Sequence, residues 1–322
     1  MSDSDNTRWT GTASTVDPTS LAAPTRERIG AAGVWLGSLA IASARDGAAA
    51  AVEIERLGYG ALWFGETPVG KEAFVHAGQL LAATEAIVVA TGIANIWARD
   101  AYAANAAAEA LGEDHPGRFL LGLGVSHAPL VDVRGHDYGR PLSAMRAYLD
   151  GLDAAPYAAP RPDPAVPRVL AALRPKMLEL SRDRSAGAHP YLTTPEHTAQ
   201  ARELLGPQPL LAPEQTVVVD PEPERARAAG RAFLAAYLAL PNYTRNLLKL
   251  GFDEQDVADG GSDRLVDALI AWGDAETVAQ KIRAHHQAGA DHVAIQPLST
   301  TLDGQLVQLS ELAPVLALGG RG

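Results

Sequence analysis

The chain has 322 residues, 47% of them hydrophobic, and a formal net charge of −11 at pH 7. An acidic chain has no general basic face, so neither nucleic acid nor an anionic membrane surface is expected as a partner. The absence of cysteine excludes disulfides, thiolate metal sites and cysteine nucleophiles. No run reaches the roughly 18 apolar residues of a membrane span.

The amino terminus differs in composition from the rest of the chain. Residues 1–25 are polar and place two acidic residues ahead of the first arginine. They lack the basic region and apolar core of a secretory signal. We predict that residues 1–25 form a disordered tail, that residues 26–322 form a single domain, and that the protein is cytoplasmic.

Short apolar runs alternate with helical patterns after this tail. Strands are predicted at residues 29–36, 61–66, 87–93, 119–125, 169–173, 187–192, 216–220 and 291–297. Helices are predicted at residues 38–57, 71–84, 101–111, 141–152, 175–184, from 195 onward, 222–240, 274–288 and 304–318. Eight strands alternating with helices predict a parallel sheet closed into a (β/α)8 TIM barrel. An open doubly wound sheet is the alternative, but no glycine fingerprint follows the first strand.

One segment interrupts the alternation before the last strand. Residues 241–272 contain Pro241, Gly251 and an acidic run. Because long insertions between barrel elements often cover the active site, we predict that this segment is a lid.

The junction between the fifth strand and its helix predicts an anion site. Pro175 suits the first helical turn, since its missing N–H would have no partner there. The positive end of the helix, Arg174 and Lys176 would then face one spot that suits a phosphate. The alternative is that both basic side chains are solvated at an ordinary turn.

Polar residues follow several strands at the end where barrel active sites lie. They are Glu66 and Thr67, then Asn95, Trp97 and Arg99, then Ser126 and His127, then Arg174 and Lys176, then Thr193 and Thr194. Neither a His-x-His nor an Asp-x-Asp pair accompanies them, so no metal site is predicted.

Five runs resemble the bacterial-luciferase-like flavin and deazaflavin oxidoreductases. In chain order they are LWFGE, TGIANIWARD, FLLGLGVSH, RVLAALRPKMLEL and GAHPYLTTPEHT. Within that family the chain is most similar to the actinobacterial branch that uses coenzyme F420, and GFDEQDVADGGSDRLVDALIAWGD also resembles that branch. The resemblance covers roughly residues 28–298.

The resemblance implies a (β/α)8 barrel with a flavin or deazaflavin ring across the strand ends. It places a non-prolyl cis peptide behind the ring at Gly92–Ile93. Many relatives have glycine where this chain has Arg174. The cofactor-binding residues that we expect are Gly92, Ile93, Asn95, Ser126, Ala172, Leu173, Arg174, Lys176 and Met177.

We therefore expect an oxidoreductase that moves a hydride between coenzyme F420 and a small organic substrate. Glu66 and His127 are predicted to transfer protons. The alternatives are that Glu66 is a strand-end acid bound to backbone and that His127 is a wall residue of the cavity. For the whole protein, an FMN-dependent monooxygenase and a non-catalytic flavin-binding protein stay open. The sequence does not give the oligomeric state, and a homodimer stays open.

Overall fold

The structure, a computed structural model, describes residues 11–318. Within this range the chain forms eleven short strands. They are β1 (Ala32–Trp35), β2 (Ala61–Phe64), β3 (Val88–Thr91), β4 (Ala94–Asn95), β5 (Phe119–Gly124), β6 (Arg168–Leu170), β7 (Gly187–Ala188), β8 (Leu210–Leu211), β9 (Glu214–Val219), β10 (Ile270–Gly273) and β11 (Val293–Pro297).

Thirteen α-helices and two 3-10 helices surround these strands in the described range. The α-helices are α1 (Ala22–Ile29), α2 (Ala44–Arg56), α3 (Ala73–Ala83), α4 (Ala101–Asp114), α5 (Ala128–Asp132), α6 (Pro141–Ala154), α7 (Pro175–Arg184), α8 (Pro195–Leu205), α9 (Pro223–Leu238), α10 (Pro241–Lys249), α11 (Asp263–Leu269), α12 (Ala275–Gln287) and α13 (Leu302–Val315). The 3-10 helices are Pro18–Leu21 and Gly37–Ala40. Each of these helices is too short or too polar to cross a bilayer.

The strands form one closed parallel sheet, which confirms the predicted barrel. Neighbours pair in the order β11, β1, β2, β3, β5, β6, β7, β8. The strands β8 and β9 belong to one extended stretch, residues 210–219, that is interrupted around Pro213. Because β8 pairs with β7 while β9 pairs with β11, the pairing returns to its start. All eight predicted strands take part in this ring.

Local sequence signals explain where the helices begin. Asp100 caps α4 by accepting a hydrogen bond from the Ala103 N–H at 2.8 Å. Thr194 caps α8, and Pro175 opens α7, both as predicted. The strands β2, β3 and β5 are buried at every position, as strands covered on both faces should be.

The predicted disordered tail is wrong for residues 11–25. The Asp17 side chain caps the 3-10 helix Pro18–Leu21, and α1 follows directly. Ala22, Thr25 and Ile29 are buried on one face of α1, and Ala22 and Ile29 pack against core residues of the barrel. The buried residues are spaced three and four positions apart, as in a helix, but the polar residues around them made this spacing hard to detect in the sequence. Residues 1–10 of the predicted tail lie outside the described residues.

The predicted lid is wrong for its carboxyl-terminal part. Leu265 and Val266 of α11 are buried in one cluster with Leu234 of α9. The strand β10 then pairs in parallel with β9, from Ile270 opposite Thr216 to Gly273 opposite Val219. The run ALIAW therefore contains most of an additional strand of the sheet, and within residues 241–272 only α10 contributes residues that line the space at the strand ends.

Candidate active site

A cavity of about 420 Å³ lies at the carboxyl ends of the strands. Barrel active sites lie at this end, and small-molecule sites have volumes of a few hundred Å³. Its lining is Trp35, Gly65, Glu66, Thr67, Gly92, Ile93, Gly124, Val125, Ser126, His127, Leu130, Tyr138, Pro141, Ala171, Ala172, Leu173, Arg174, Met177, His189, Tyr191, Ala236, Tyr237, Leu240, Asn242 and Tyr243. Nine of the eleven predicted site residues are in this set, and Asn95 and Lys176 are the two that are not.

Asn95 and Lys176 lie outside the cavity wall for different reasons. Asn95 is 1% exposed, and its side-chain oxygen accepts a hydrogen bond from the Trp97 N–H at 3.0 Å. This hydrogen bond shapes the loop after β4. Lys176 is exposed on the first turn of α7. A direct cofactor contact by either side chain has no support in this geometry.

Glu66 forms a buried ion pair with Arg99. The Arg99 guanidinium donates hydrogen bonds to both carboxylate oxygens of Glu66, and the bond to Oε2 is 3.0 Å long. The Asn95 N–H donates to the same Oε2 at 2.8 Å. Burial lowers the pKa of Arg99, but the hydrogen bonds and charge of Glu66 raise it on balance. Both carboxylate oxygens of Glu66 are therefore occupied by donors from within the protein. The geometry favours a positioning role for Glu66 over the predicted proton transfer.

Arg99 also ties the strand end to α3. Its Nη2 lies 2.7 Å from Oε1 of Glu72, and its guanidinium lies 4.9 Å from the centre of the Phe74 ring. Sequence reasoning placed Glu66 and Arg99 in the same polar set. It could not pair them, because their separation of 33 residues carries no local signal.

His127 lies in the cavity wall, directly before α5. Burial lowers the pKa of its imidazole, and a hydrogen bond with Asn242 raises it in part. The ring is therefore neutral at pH 7 and able to accept a proton. Its ring centre is 5.5 Å from that of Tyr243 on α10. The catalytic role of His127 stays a prediction.

The floor of the cavity contains the cis peptide Gly92–Ile93, as the resemblance implied. The Trp35 indole Nε1 donates a 3.0 Å hydrogen bond to the Gly92 carbonyl. A Cβ at Gly92 would lie 2.6 Å from that Nε1, and a Cβ at Gly124 would lie 2.4 Å from Cγ1 of Ile93. Both positions therefore need glycine for close packing under the cavity.

His189 is a lining residue that sequence reasoning missed. Its ring stacks on Trp63 with centres 4.3 Å apart, and Nδ1 is 2.7 Å from the Ala212 carbonyl. Burial lowers its pKa to about 4, so the ring is neutral, with Nδ1–H as donor. Its Nε2 is a buried acceptor without a partner among residues 11–318. The residue stands in the run GAHPYLTT directly after β7, which was the available signal.

An aromatic wall was also missed. Tyr138, Tyr191, Tyr237 and Tyr243 line the cavity from the loop after α5, the loop after β7, the end of α9 and the start of α10. These positions belong to two separate loops and two helices and lie on no common periodic face, so no pattern in the sequence joins them.

Arg174 lies at the rim of the cavity. It is exposed, it precedes the first residue of α7, and it has no ion-pair partner among the described residues. The predicted junction of strand and helix is therefore present, with a free cation beside a helix amino terminus. This combination suits the anionic part of a ligand whose body lies in the apolar cavity.

The described residues contain no group of three or more histidine, aspartate or glutamate side chains arranged to hold a metal ion.

Several solved structures share this fold. An F420-dependent secondary alcohol dehydrogenase in complex with an F420–acetone adduct is 17% identical, with a TM-score of 0.67, over 89% of this chain and 99% of that one. The coenzyme F420-dependent tetrahydromethanopterin reductase from Methanopyrus kandleri is 16% identical, with a TM-score of 0.71, over 89% and 99%. The oxygenating constituent of 3,6-diketocamphane monooxygenase from Pseudomonas putida, in complex with FMN, is 15% identical, with a TM-score of 0.68, over 91% and 100%.

These identities are low, so the solved structures support the fold alone. No curated protein sequence matches the chain. Residues 19–292, however, match the luciferase-like monooxygenase family. That match spans most of the chain, including the strand ends that line the cavity, and the chain therefore belongs to the luciferase-like monooxygenase family.

Proposed function

We propose that the protein is an F420-dependent oxidoreductase that transfers a hydride between the deazaflavin and a small organic substrate. The observation that carries this proposal is the cavity itself. It is largely apolar, it lies at the carboxyl ends of the strands, and its exposed cation, Arg174, is at the amino terminus of α7. A flat ring with an anionic tail fits this arrangement of apolar space and charge.

The residues present fit such a cofactor. Gly92 and Gly124 leave the floor without Cβ atoms, and the buried Nε2 of His189 is an acceptor without a protein partner. Ala172, Leu173 and Arg174 would hold the phosphate at the start of α7. When bound, the deazaflavin would supply the hydride donor or acceptor.

The protein's own groups would move the proton that accompanies the hydride. For an alcohol substrate, an imidazole nitrogen of His127 would take the hydroxyl proton as the hydride leaves the carbon. The Glu66–Arg99 pair would hold the ends of β2 and β4 in place beneath the substrate. Leu240 and Tyr243 would restrict the access of water from above.

An FMN-dependent monooxygenase is the second candidate. It is favoured by the matched family and by the FMN complex among the similar structures. The same cavity and the same rim cation would serve FMN, which also carries a phosphate. A third possibility, a flavin-binding protein without activity, shares the binding geometry but needs no proton-transfer residue.

Titration of the cofactor-free protein with F420 and with FMN separates the candidates. We expect F420 to bind at least about tenfold tighter, a difference of about 1.4 kcal/mol. Turnover in the absence of oxygen is then expected with F420 and not with FMN. Equal or tighter binding of FMN, measured by fluorescence, would overturn the proposal, and binding without anaerobic turnover of any substrate would favour the third possibility.

A further inference from the structure

The charges around the cavity restrict what its interior accepts. Among its lining residues Glu66 is the only carboxylic acid and Arg174 the only arginine or lysine. Arg99 neutralises Glu66, and Arg174 is exposed at the rim. His127 and His189 are neutral, because burial lowers the pKa of both. The interior therefore offers no free charge to a ligand.

The tyrosine hydroxyls of the wall are largely occupied within the protein. Tyr191 donates to Oε1 of Gln296 at 2.7 Å, so the 2.9 Å contact between Tyr191 and Tyr237 has Tyr237 as its donor. Tyr138 donates to the Ser126 carbonyl at 3.0 Å. Because these protons are committed, the wall presents aromatic rings, with few free donors, to whatever enters.

Tyr243 is the centre of this aromatic wall. Its ring lies 5.5 Å from His127, 5.4 Å edge-on from Tyr237 and 6.4 Å from Tyr191, measured between ring centres. It is 6% exposed and stands on α10, above the strand ends. Aromatic rings at such separations favour further flat rings in stacked or edge-to-face contact.

We propose that the substrate part of the cavity takes an uncharged, flat, largely apolar molecule that packs against Tyr243. This inference rests on the proposed function, because the cofactor would fill the remaining space. A carboxylate or phosphate carried into the interior would lose its hydration and gain no cation in exchange, which makes binding unfavourable. A saturated ring would bury similar area but lose the aromatic contact.

Three matched probes test the class of ligand on the unmodified protein. They are 2-acetylnaphthalene, its anionic counterpart 2-naphthoate and its saturated counterpart 2-acetyldecalin. Calorimetric titration is carried out without cofactor and again with saturating F420. We expect the flat ketone to bind at least about tenfold tighter than either counterpart in both series. Binding of 2-naphthoate equal to or tighter than that of the ketone would overturn the inference, as would equal binding of the saturated ketone.

Substitutions at Tyr243 test the contact residue. Tyr243→Phe keeps the ring and is expected to retain the affinity for 2-acetylnaphthalene within about twofold, whereas Tyr243→Leu keeps apolar volume and is expected to lose roughly fivefold or more. Tyr102→Ala, on the exposed face of α4, is the control. Melting temperatures identify any variant that fails to fold, in which case the probe series decides. Unchanged affinity in folded Tyr243→Leu would remove Tyr243 from the inference.

The two proposals fail in different ways. Absence of F420 binding would overturn the proposed function and leave the preference for the flat ketone intact in the cofactor-free series. Tight F420 binding together with no preference among the three probes would overturn the substrate class alone.

Discussion

Glu66 and His127 line the same cavity but differ in the partners of their side chains: within the described part of the chain Glu66 is in an ion pair and His127 is not. Glu66 has both carboxylate oxygens bound by Arg99 and one bound also by a backbone N–H. His127 is neutral and has no ion-pair partner among the described residues. The sequence shows that both residues follow strands, but the direction of each side chain and its partner depend on packing between strands.

The two residues should therefore respond differently to substitution. His127→Ala is expected to cut turnover by roughly a hundredfold or more, the usual loss of a general acid or base. Glu66→Gln is expected to destabilise the fold by about 1–3 kcal/mol, because it leaves the buried Arg99 with a weaker partner. Steady-state kinetics and urea unfolding measure the two effects.

A matched control is available for the stability effect. Glu53→Gln removes a half-buried partner of the exposed Arg56 on α2, which should cost less stability than Glu66→Gln because the solvent screens this pair. If Glu66→Gln abolishes turnover at unchanged stability and His127→Ala does not, Glu66 transfers the proton after all, as the sequence predicted.

Arg174 and Lys176 are two basic residues in one turn, and the structure separates them. Arg174 lines the cavity, and Lys176 does not. Arg174→Gln is therefore expected to weaken cofactor binding by about tenfold or more, as the loss of a charged hydrogen bond does. Lys176→Gln is expected to change affinity by less than about threefold. Fluorescence titration of both variants checks this, and a larger effect at Lys176 would show that the side chains exchange roles on binding.

At the scale of elements, patterns local in sequence predicted more than patterns made by distant residues. Apolar runs flanked by helix caps and prolines predicted eight strands, all of which take part in the ring, and the start of α7. The strands β4 and β8 were missed, since β4 includes the polar Asn95 and β8 lies in a run of only three apolar residues between two prolines. The strand β10 was missed because its run directly follows α11 and falls almost entirely within residues 241–272, the segment that was predicted to be a lid.

Because only part of the predicted lid lines the cavity, its two parts should differ in hydrogen exchange. The start of α10 and the end of α9 line the cavity, whereas Leu265, Val266 and Leu269 of α11 are buried and Ile270–Gly273 pair with β9. Hydrogen exchange in residues 236–249 is expected to slow when cofactor and ligand bind, because contacts with the ligand stabilise these helix ends. Exchange in residues 263–273 is expected to be slow already and unchanged. A response confined to 263–273 would contradict this division of the segment.

At the scale of the whole molecule, the barrel order was predictable because parallel strands with helical crossovers have few alternatives. The residues that line the cavity were harder to predict. The motif runs identified the floor and the rim, whereas the aromatic wall depends on where α9 and α10 return over the strands. That return is a tertiary property, set by packing of residues such as Leu234 and Leu247 in one apolar cluster.

The buried histidines predict how the whole fold responds to acid. Burial lowers the pKa of His76, His189 and His285 to about 4 and that of His292 to about 3. In the unfolded chain each would have an ordinary pKa near 6.5. Below that value the unfolded state binds more protons than the folded state, so stability is lost as the pH falls and is fully present above it.

Each such histidine should contribute a slope of up to about 1.4 kcal/mol per pH unit between its two pKa values. Urea unfolding is therefore expected to show a steep fall in stability from pH 6.5 towards pH 4. His76→Leu removes one of these groups from beside Phe64, where the two rings are 4.8 Å apart, without touching the cavity. Its stability should fall less steeply than that of the unmodified protein by about that slope. A pH profile identical to that of the unmodified protein would show that His76 takes up its proton in the folded state.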